Sequence, residues 1–458
     1  RSLPKITSAL EHIKIIDPAV GSGAYPLGMM QVLASVYERI LPVNKYDAYR
    51  IKLSIIENNL YGVDINPMAI EIARLRTWLS LIIEDLNTEF IEPLPNLDFK
   101  FVSADSLIEL DKVQSLNYDQ NLDDKLDKIR KKYFNARKIE SKERYKSEYY
   151  NITQQEGMSD DLRTSQLRSF DPFNNGSVAE FYDSKYMFGI SDGFDIVIAN
   201  PPYRNFQSME EEKRELFKTL GYKTYRARGD IYTLFYEHGI NLLKKGGILT
   251  FITSNKWMRA GYGNPLRNYF VEFTNPIQLI DLGEDIFDSA EVDTNILIVE
   301  KEDNTDSLRA VTINNQENFV EEVNNNSITQ IYKKNDPWTI LSPIEQSIKN
   351  KIESVGVPLK DWDVSINRGL ITGLNEAFII SKEKRDELIS EDSKSAEIIR
   401  PILRGRDIDR YSYNFQDVYI ILAYYGIYKT MKSKYPAIYK HLKKFEQKLK
   451  KRGQVKPT

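Results

Sequence analysis

The chain has 458 residues, with 41% hydrophobic and 28% charged, which predicts a globular protein of two or three domains. The net charge of −3 excludes a globally basic nucleic-acid binder and confines any such surface to a local patch. Cysteine is absent and the three histidines, His12, His238 and His441, are far apart in sequence, which excludes disulfides and thiolate sites and leaves no metal expected.

No apolar run approaches the roughly 20 residues that span a bilayer, and no secretory signal is present. Partners are therefore sought off the membrane. Neither end, Arg1 or Thr458, carries an obvious terminal element, so the chain is expected to be a fragment of a longer protein.

In chain order, Ile13–Asp17 reads as a short strand. It runs into Pro18-Ala19-Val20-Gly21-Ser22-Gly23-Ala24-Tyr25-Pro26, followed by an apolar helical pattern through Leu27, Met30, Leu33 and Tyr37. Strand, glycine turn and helix make the first unit of a nucleotide-binding fold. The glycines let backbone approach a ligand, and Pro26 suits a first helical turn. A dinucleotide fingerprint would need a third glycine where Pro26 stands. Leu60–Asp64 is a second strand ending in an acid. Asp64 can accept both hydroxyls of a ribose, or cap the helix that starts near Pro67, and the roles are compatible. After an amphipathic helix over Met68–Leu86, Leu97–Val102 forms a third strand, closed by Ser103-Ala104-Asp105-Ser106. Asp105 thus stands at a third strand tip, where it can accept from an adenine amino group or serve only the turn; three acids at three successive tips favour a shared ligand site.

Residues 107–170 are rich in Lys, Glu, Asp and Gln, with a charged helix expected between Leu122 and Tyr150. They read as an insertion outside the core with a solvated face. The central stretch follows, Phe194–Tyr203 (FDIVIANPPY). Asp195–Ala199 is mostly apolar and β-branched, as a strand buried on both faces requires. It stops at Asn200-Pro201-Pro202-Tyr203. Prolines hold φ and cannot donate to a ladder, and Asn200 before Pro201 is pushed toward an extended backbone. An amide, a bare carbonyl and an aromatic ring are then presented rigidly at a strand's C-terminal end, where open α/β sheets bind ligands. Together they can hold a planar amino or amide group.

Glu210–Leu220 reads as a helix. Gly221–Gly229 (GYKTYRARG) is a basic, aromatic loop that suits phosphates and bases or a mobile surface, with neither favoured. A helix over Ile231–Leu243 is capped by Lys244-Lys245-Gly246-Gly247. Strands follow at Ile248–Thr253, Pro276–Leu282 and Thr294–Glu300. The alternation predicts an α/β, doubly wound sheet. Residues 303–337 are expected to link to a second domain from Trp338. From Tyr428 the chain carries 11 Lys/Arg against Glu446 alone, with Tyr435, Tyr439 and Phe445 interleaved, the pattern of a nucleic-acid surface or of a charged solvated helix.

The motif order DPAVGSG, YGVDINP, SADS, IANPPY, GGILTFITSNKW and GEDIFDSAEVDTNILIVEK resembles the γ-type N6-adenine DNA methyltransferases, above all the methyltransferase part of Type IIG restriction-modification enzymes. The stretch from Trp338, with RGLITGLNEAF and LRGRDIDRY, resembles the start of a TaqI-like target-recognition domain. The resemblance implies a class I methyltransferase fold over residues 1–302, mostly parallel with one antiparallel strand, and a partial α+β recognition domain over 338–458, truncated at Thr458. It implies S-adenosylmethionine as cofactor, double-stranded DNA as partner, and a cytoplasmic bacterial or archaeal setting. Asp17, Ala19, Gly21 and Gly23 would surround the methionine part of the cofactor. Asp64 would bind its ribose, Ile65 would lie against its adenine, and Asp105 and Ser106 would meet that adenine. Asn200 and the Pro201 carbonyl would accept from N6 of a flipped adenine, with Pro202 stiffening the turn, Tyr203 stacked on the base and Phe287 facing it. Asn200 also counts with the cofactor set, since donor and acceptor meet there. Arg1–Glu11 shows no counterpart of the family's Thr-Pro segment that closes over the cofactor. Any nuclease activity would come from outside this chain. Two alternatives carry the same residues: a protein glutamine N5-methyltransferase, which also uses NPPY, and an inactive DNA-binding scaffold.

Overall fold

The computed structural model describes residues 3–450 except 43–45, 84–94, 112–121, 157–161, 284–292, 314–315, 366–368, 371 and 425. The chain divides into two compact units, Arg1–Asn350 and Lys351–Thr458.

The first unit is built on nine strands: β1 (Ile15–Asp17), β2 (Leu60–Asp64), β3 (Phe101–Ser103), β4 (Phe194–Ala199), β5 (Leu243–Ser254), β6 (Asn275–Gly283), β7 (Thr294–Glu300), β8 (Leu308–Thr312) and β9 (Ile328–Gln330). Their order is β3-β2-β1-β4-β5-β7-β6-β8-β9. β3 through β5 pair in parallel, β7 is antiparallel to both its neighbours, β8 returns parallel to β6, and β9 is antiparallel to β8. The seven expected strands are all present in a class I methyltransferase arrangement, and the sheet continues two strands further.

Alternate residues of the parallel strands serve two cores, as the period of two dictates. Ile15, Leu60 and Phe101 bury against Met30, Leu33, Ile55 and Ile70 of the helices Ala24–Ile40, Ala48–Asn58 and Pro67–Ile82. Ile16, Tyr61, Val63, Val102 and Val197 bury on the other face.

Three expectations change. Residues 303–337 are no linker: β8 and β9 extend the main sheet, and Trp338 is fully buried in its core, stacked on Tyr332 at 4.9 Å and edge-on to Trp257 at 5.2 Å. The polar composition reflects edge strands with one wet face, which composition alone does not separate from a linker. Residues 107–170 are likewise not merely a solvated insertion. Leu122, Leu126, Ile129 and Tyr133 of the helix Leu122–Phe134, with Tyr149 of the helix Ile139–Glu156, join the main core. Their apolar positions recur every three or four residues, a stripe that the intervening charges hide from a composition count. The Lys-Lys-Gly-Gly stretch does not cap a helix, which ends at Leu242, but opens β5.

The second unit has a three-stranded antiparallel sheet, β10 (Ile379–Ser381), β11 (Ile399–Pro401) and β12 (Val418–Ile421), in the order β10-β12-β11. Helices Tyr428–Lys434 and Pro436–Lys443 close its core through Met431, Ile438 and Leu442. Tyr435 is buried there with its hydroxyl on Glu397 at 2.8 Å, and Tyr439 and Phe445 pack against the same cluster. These three aromatics of the basic run therefore serve the core, while its described lysines remain outside.

Because Trp338 belongs to the main core, Trp338→Ala should lower stability by about 3–5 kcal/mol. Trp362→Ala, at a site 55% exposed, should change it by less than about 0.5 kcal/mol. Denaturant unfolding of both variants checks this; equal midpoints would return residues 303–338 to the role of a linker.

Candidate active site

The strand order reverses between β1 and β4, and there the C-terminal strand tips open a crevice. β1 pairs Ile16 with Val197 of β4, and Asp17 with Gly62 of β2. Ala19, Asp64 and Asn200 thus stand at or just past the C-terminal ends of three neighbouring strands. A cavity of about 430 Å³ confirms this, lined by Pro18, Ala19, Asp64, Ile65, Asp105, Ser106, Asn200 and Pro202 among others.

The glycine turn is held by hydrogen bonds that cross strands. The Gly21 amide donates to Asp64 Oδ2 at 2.8 Å, and the Asn66 amide to Asp64 Oδ1 at 2.8 Å. Asp64 is not the cap of the helix Pro67–Ile82; Asn66 is, accepting from the Met68 amide at 3.1 Å. Asp64 still faces the cavity with lone pairs beyond these two donors. Ser106 Oγ donates to the Pro18 carbonyl at 2.8 Å, tying the tip of β3 to that of β1. Gly23 has φ +82°, and a Cβ there would lie 3.0 Å from Ala73 Cβ, so the turn and the helix behind it meet through this glycine.

Asp17 lies beneath the turn, 1% exposed. Its Oδ1 accepts from the Ala19 amide at 2.9 Å, and its Oδ2 is buried with no hydrogen-bond partner. Burial pushes the carboxyl up to about 8, partly offset by the Ala19 hydrogen bond. Asp105, mostly buried, is also raised by desolvation, while its hydrogen bond from Leu107 and nearby Lys213 act the other way. Three acids at three successive tips thus face the crevice or lie under its floor.

The other half comes from β4. Asn200 and Pro202 line the cavity, and the Asn200 amide has no hydrogen-bond partner among the described residues. Pro201 is buried. Tyr203 is half-buried, its hydroxyl on the Ile252 carbonyl at 3.2 Å and its ring edge-on to Tyr232 at 6.0 Å. Burial raises its phenol, helped by nearby Tyr25, which itself feels Asp17. Phe287 lies outside the described residues.

The cavity includes side chains with no motif to announce them. Lys213, Leu216 and Phe217 come from the helix Glu211–Thr219, and Arg204, Met209, Ile231 and Phe235 complete the wall. The one available signal was position, since this helix follows NPPY directly. The basic loop after it is anchored rather than loose. Tyr222 donates to the Leu107 carbonyl at 2.8 Å, Tyr225 packs on Phe206 at 5.0 Å, and buried Glu237 accepts from the Thr224 amide at 2.9 Å. Arg226 and Arg228 stay exposed. Among the described residues no group of acids and histidines could hold a metal. His238 is buried and pushed down to about 4 by desolvation.

The sequence matches the Eco57I restriction-modification methylase family over residues 58–287, half of the chain. The chain belongs to the Eco57I restriction-modification methylase family. An inferred type II restriction enzyme and methyltransferase of Methanocaldococcus jannaschii is 31% identical over 365 residues, covering 64% of this chain and 30% of that protein. The adenine-specific methyltransferase BrxX of Escherichia coli is 21% identical over 379 residues, covering 77% of this chain and 30% of its own length. The chain thus spans about a third of the length of either relative. In fold it resembles the Type IIL restriction-modification enzyme MmeI, solved in complex with DNA, with a TM-score of 0.53 at 11% identity over 97% of this chain and 50% of that one. The crevice residues from Asp64 to Pro202 fall within the matched range, whereas the glycine turn precedes it.

A carboxyl raised by burial destabilises the fold once it must ionise. Asp17 binds its proton more tightly folded than unfolded, so stability without ligand should fall as pH rises from about 4 to about 8. Asp17→Asn should flatten that part of a melting-temperature profile; an unchanged slope would remove Asp17 as its source.

Proposed function

We propose that the protein is a site-specific adenine-N6 DNA methyltransferase of a restriction-modification or related phage-defence system. The observation that carries this reading is that Asn200 and Pro202 of NPPY share one cavity with Asp64 and Asp105. Family membership and the adenine-specific relative favour DNA adenine over protein glutamine as acceptor.

The crevice fits S-adenosylmethionine. Asp64 would accept from the ribose hydroxyls, Ile65 and the Pro18–Ala19 turn would bound its base, and Asp105 would accept from its adenine amino group. Ser106 contributes indirectly, since its hydroxyl is engaged with Pro18. The unpartnered Asp17 Oδ2 suits an ammonium group. When bound, the cofactor supplies an electrophilic methyl group on a sulfonium.

The chain's own residues do the rest by positioning. A base inside a duplex cannot enter a crevice at strand tips, so the target adenine must be flipped out, at a cost of a few kcal/mol. Tyr203 would recover part of this by stacking. Asn200 Oδ1 and the Pro201 carbonyl would accept both N6 protons, drawing the nitrogen lone pair out of conjugation and aiming it. Orientation and fixed dipoles then supply most of the rate, with no general base poised beforehand. Phe287 is the proposed second face of the base pocket. The second unit is proposed as a TaqI-like target-recognition domain, with the exposed lysines after Tyr428 meeting phosphates.

The roles separate experimentally. Asn200→Ala should cut methyl transfer by about 10²–10³-fold while cofactor still binds. Asp64→Ala should weaken cofactor binding by roughly 10–100-fold, the loss expected for a charged hydrogen bond. Near-normal transfer by the first variant, or unchanged cofactor affinity in the second, would overturn the respective assignment.

A further inference from the structure

A second cavity, of about 370 Å³, lies at the opposite end of the parallel strands, where β1 to β4 begin. Lys14 precedes β1, Asn58 precedes β2, Lys100 precedes β3, and Phe188, Gly189 and Ile190 precede β4. Nothing in the methyl-transfer reading uses it.

Its walls are unusual in charge. Lys14, Lys100, Arg130 and Lys131 line it, against Glu57 and Asp127. Lys100 is 9% exposed and Arg130 6%. Burying a cation is costly unless an anion compensates. Asp127 serves Lys131 at 2.8 Å and Arg130 at 3.9 Å. Lys14 Nζ donates to the Asn58 carbonyl and Lys100 Nζ to the Glu57 carbonyl, both neutral acceptors, while Asp195 acts on Lys14 and Glu57 and Asp127 act on Lys100 through space. An ammonium has three donors, so each lysine keeps donors for a ligand. Lys100 also lies 4.2 Å above the Tyr61 ring. Burial pushes Lys100 down to about 7 and lowers Lys14, and a bound anion would act the other way and hold both lysines charged.

Space has been left for this arrangement. Gly189 ends the helix Ser184–Phe188 with φ +76°, and a Cβ there would come within 2.8 Å of both Arg130 Nη2 and Asp127 Oδ1. Aromatic rings of Tyr61, Phe99, Phe134 and Phe188 form the remaining wall.

We infer that this cavity is a binding site for a small phosphate monoester carrying a planar ring, of mononucleotide size. With both lysines charged, the lining's excess of two basic over acidic side chains matches the charge of a phosphate monoester at neutral pH, and the aromatic wall matches the ring. The site lies at the opposite strand edge from the methyl-transfer crevice, so the two can fill independently.

The test is calorimetric titration of the purified protein with AMP, inorganic phosphate and adenosine in parallel. With S-adenosylhomocysteine filling the methyl-transfer crevice, AMP should bind one to one, phosphate more weakly, and adenosine should give no heat that responds to the cavity variants. Lys100→Met and the half-buried Lys14→Met should each weaken AMP at least tenfold, with Asp105→Ala leaving it unchanged; the Lys14 variant guards against misfolding of the more buried one. Three results would overturn the inference: no AMP binding, AMP binding lost in Asp105→Ala and kept in both lysine variants, or phosphate binding as tightly as AMP.

Discussion

The hydrogen bond from the Gly21 amide to the Asp64 carboxylate, 2.8 Å long, is the contact on which the crevice depends. It clamps the turn after β1 to the tip of β2, and the Ser106–Pro18 hydrogen bond clamps the same turn to the tip of β3. Three separately encoded loops thereby become one floor. The acid in the first clamp keeps lone pairs for a ligand, so a structural tie and a binding group are the same residue. Removing its charge would loosen the turn and weaken ligand binding together.

The opposite wall obeys a different constraint. β4 is buried between β1 and β5 and ends at two prolines, so Asn200 is delivered at a fixed height with little freedom left in the chain. Tyr203 is held at both ends, by the Ile252 carbonyl and by the Tyr232 ring. In the proposed reaction this stiffness does chemical work. An amide is a weak catalyst in solution, and two acceptors gain power by being oriented before the acceptor group arrives. The proposed reaction calls on no histidine, and His238 is buried against Tyr182 with its pKa pushed down by desolvation.

Much of this was legible in the sequence where local rules and the fold coincide. The seven core strands were visible because parallel strands are continuous apolar runs with sharp ends, and Asp17, Asp64, Asp105 and Asn200 were visible because they stand at those ends. Legibility failed where a residue's partner is remote. Trp338 reads as the start of a new segment until Trp257 and Tyr332 are seen around it. Leu126 and Ile129 are submerged in charge until Phe99 and Phe173 supply the neighbours of their helix. Tyr435 looked like a nucleic-acid aromatic and is a core residue because Glu397 satisfies its hydroxyl. Lys213 belongs to no motif, and only the place of its helix after NPPY hinted at the crevice. The cavity at the other strand edge was invisible for the same reason, since Lys14, Lys100 and Arg130 are far apart in sequence.

The central claim is the identity of the methylated atom. It is tested most directly by incubating the purified protein with tritiated S-adenosylmethionine and mixed genomic DNA, then digesting to nucleosides. The account predicts label in N6-methyladenine. Label in a methylated cytosine, or in protein glutamine with none in DNA, would contradict it.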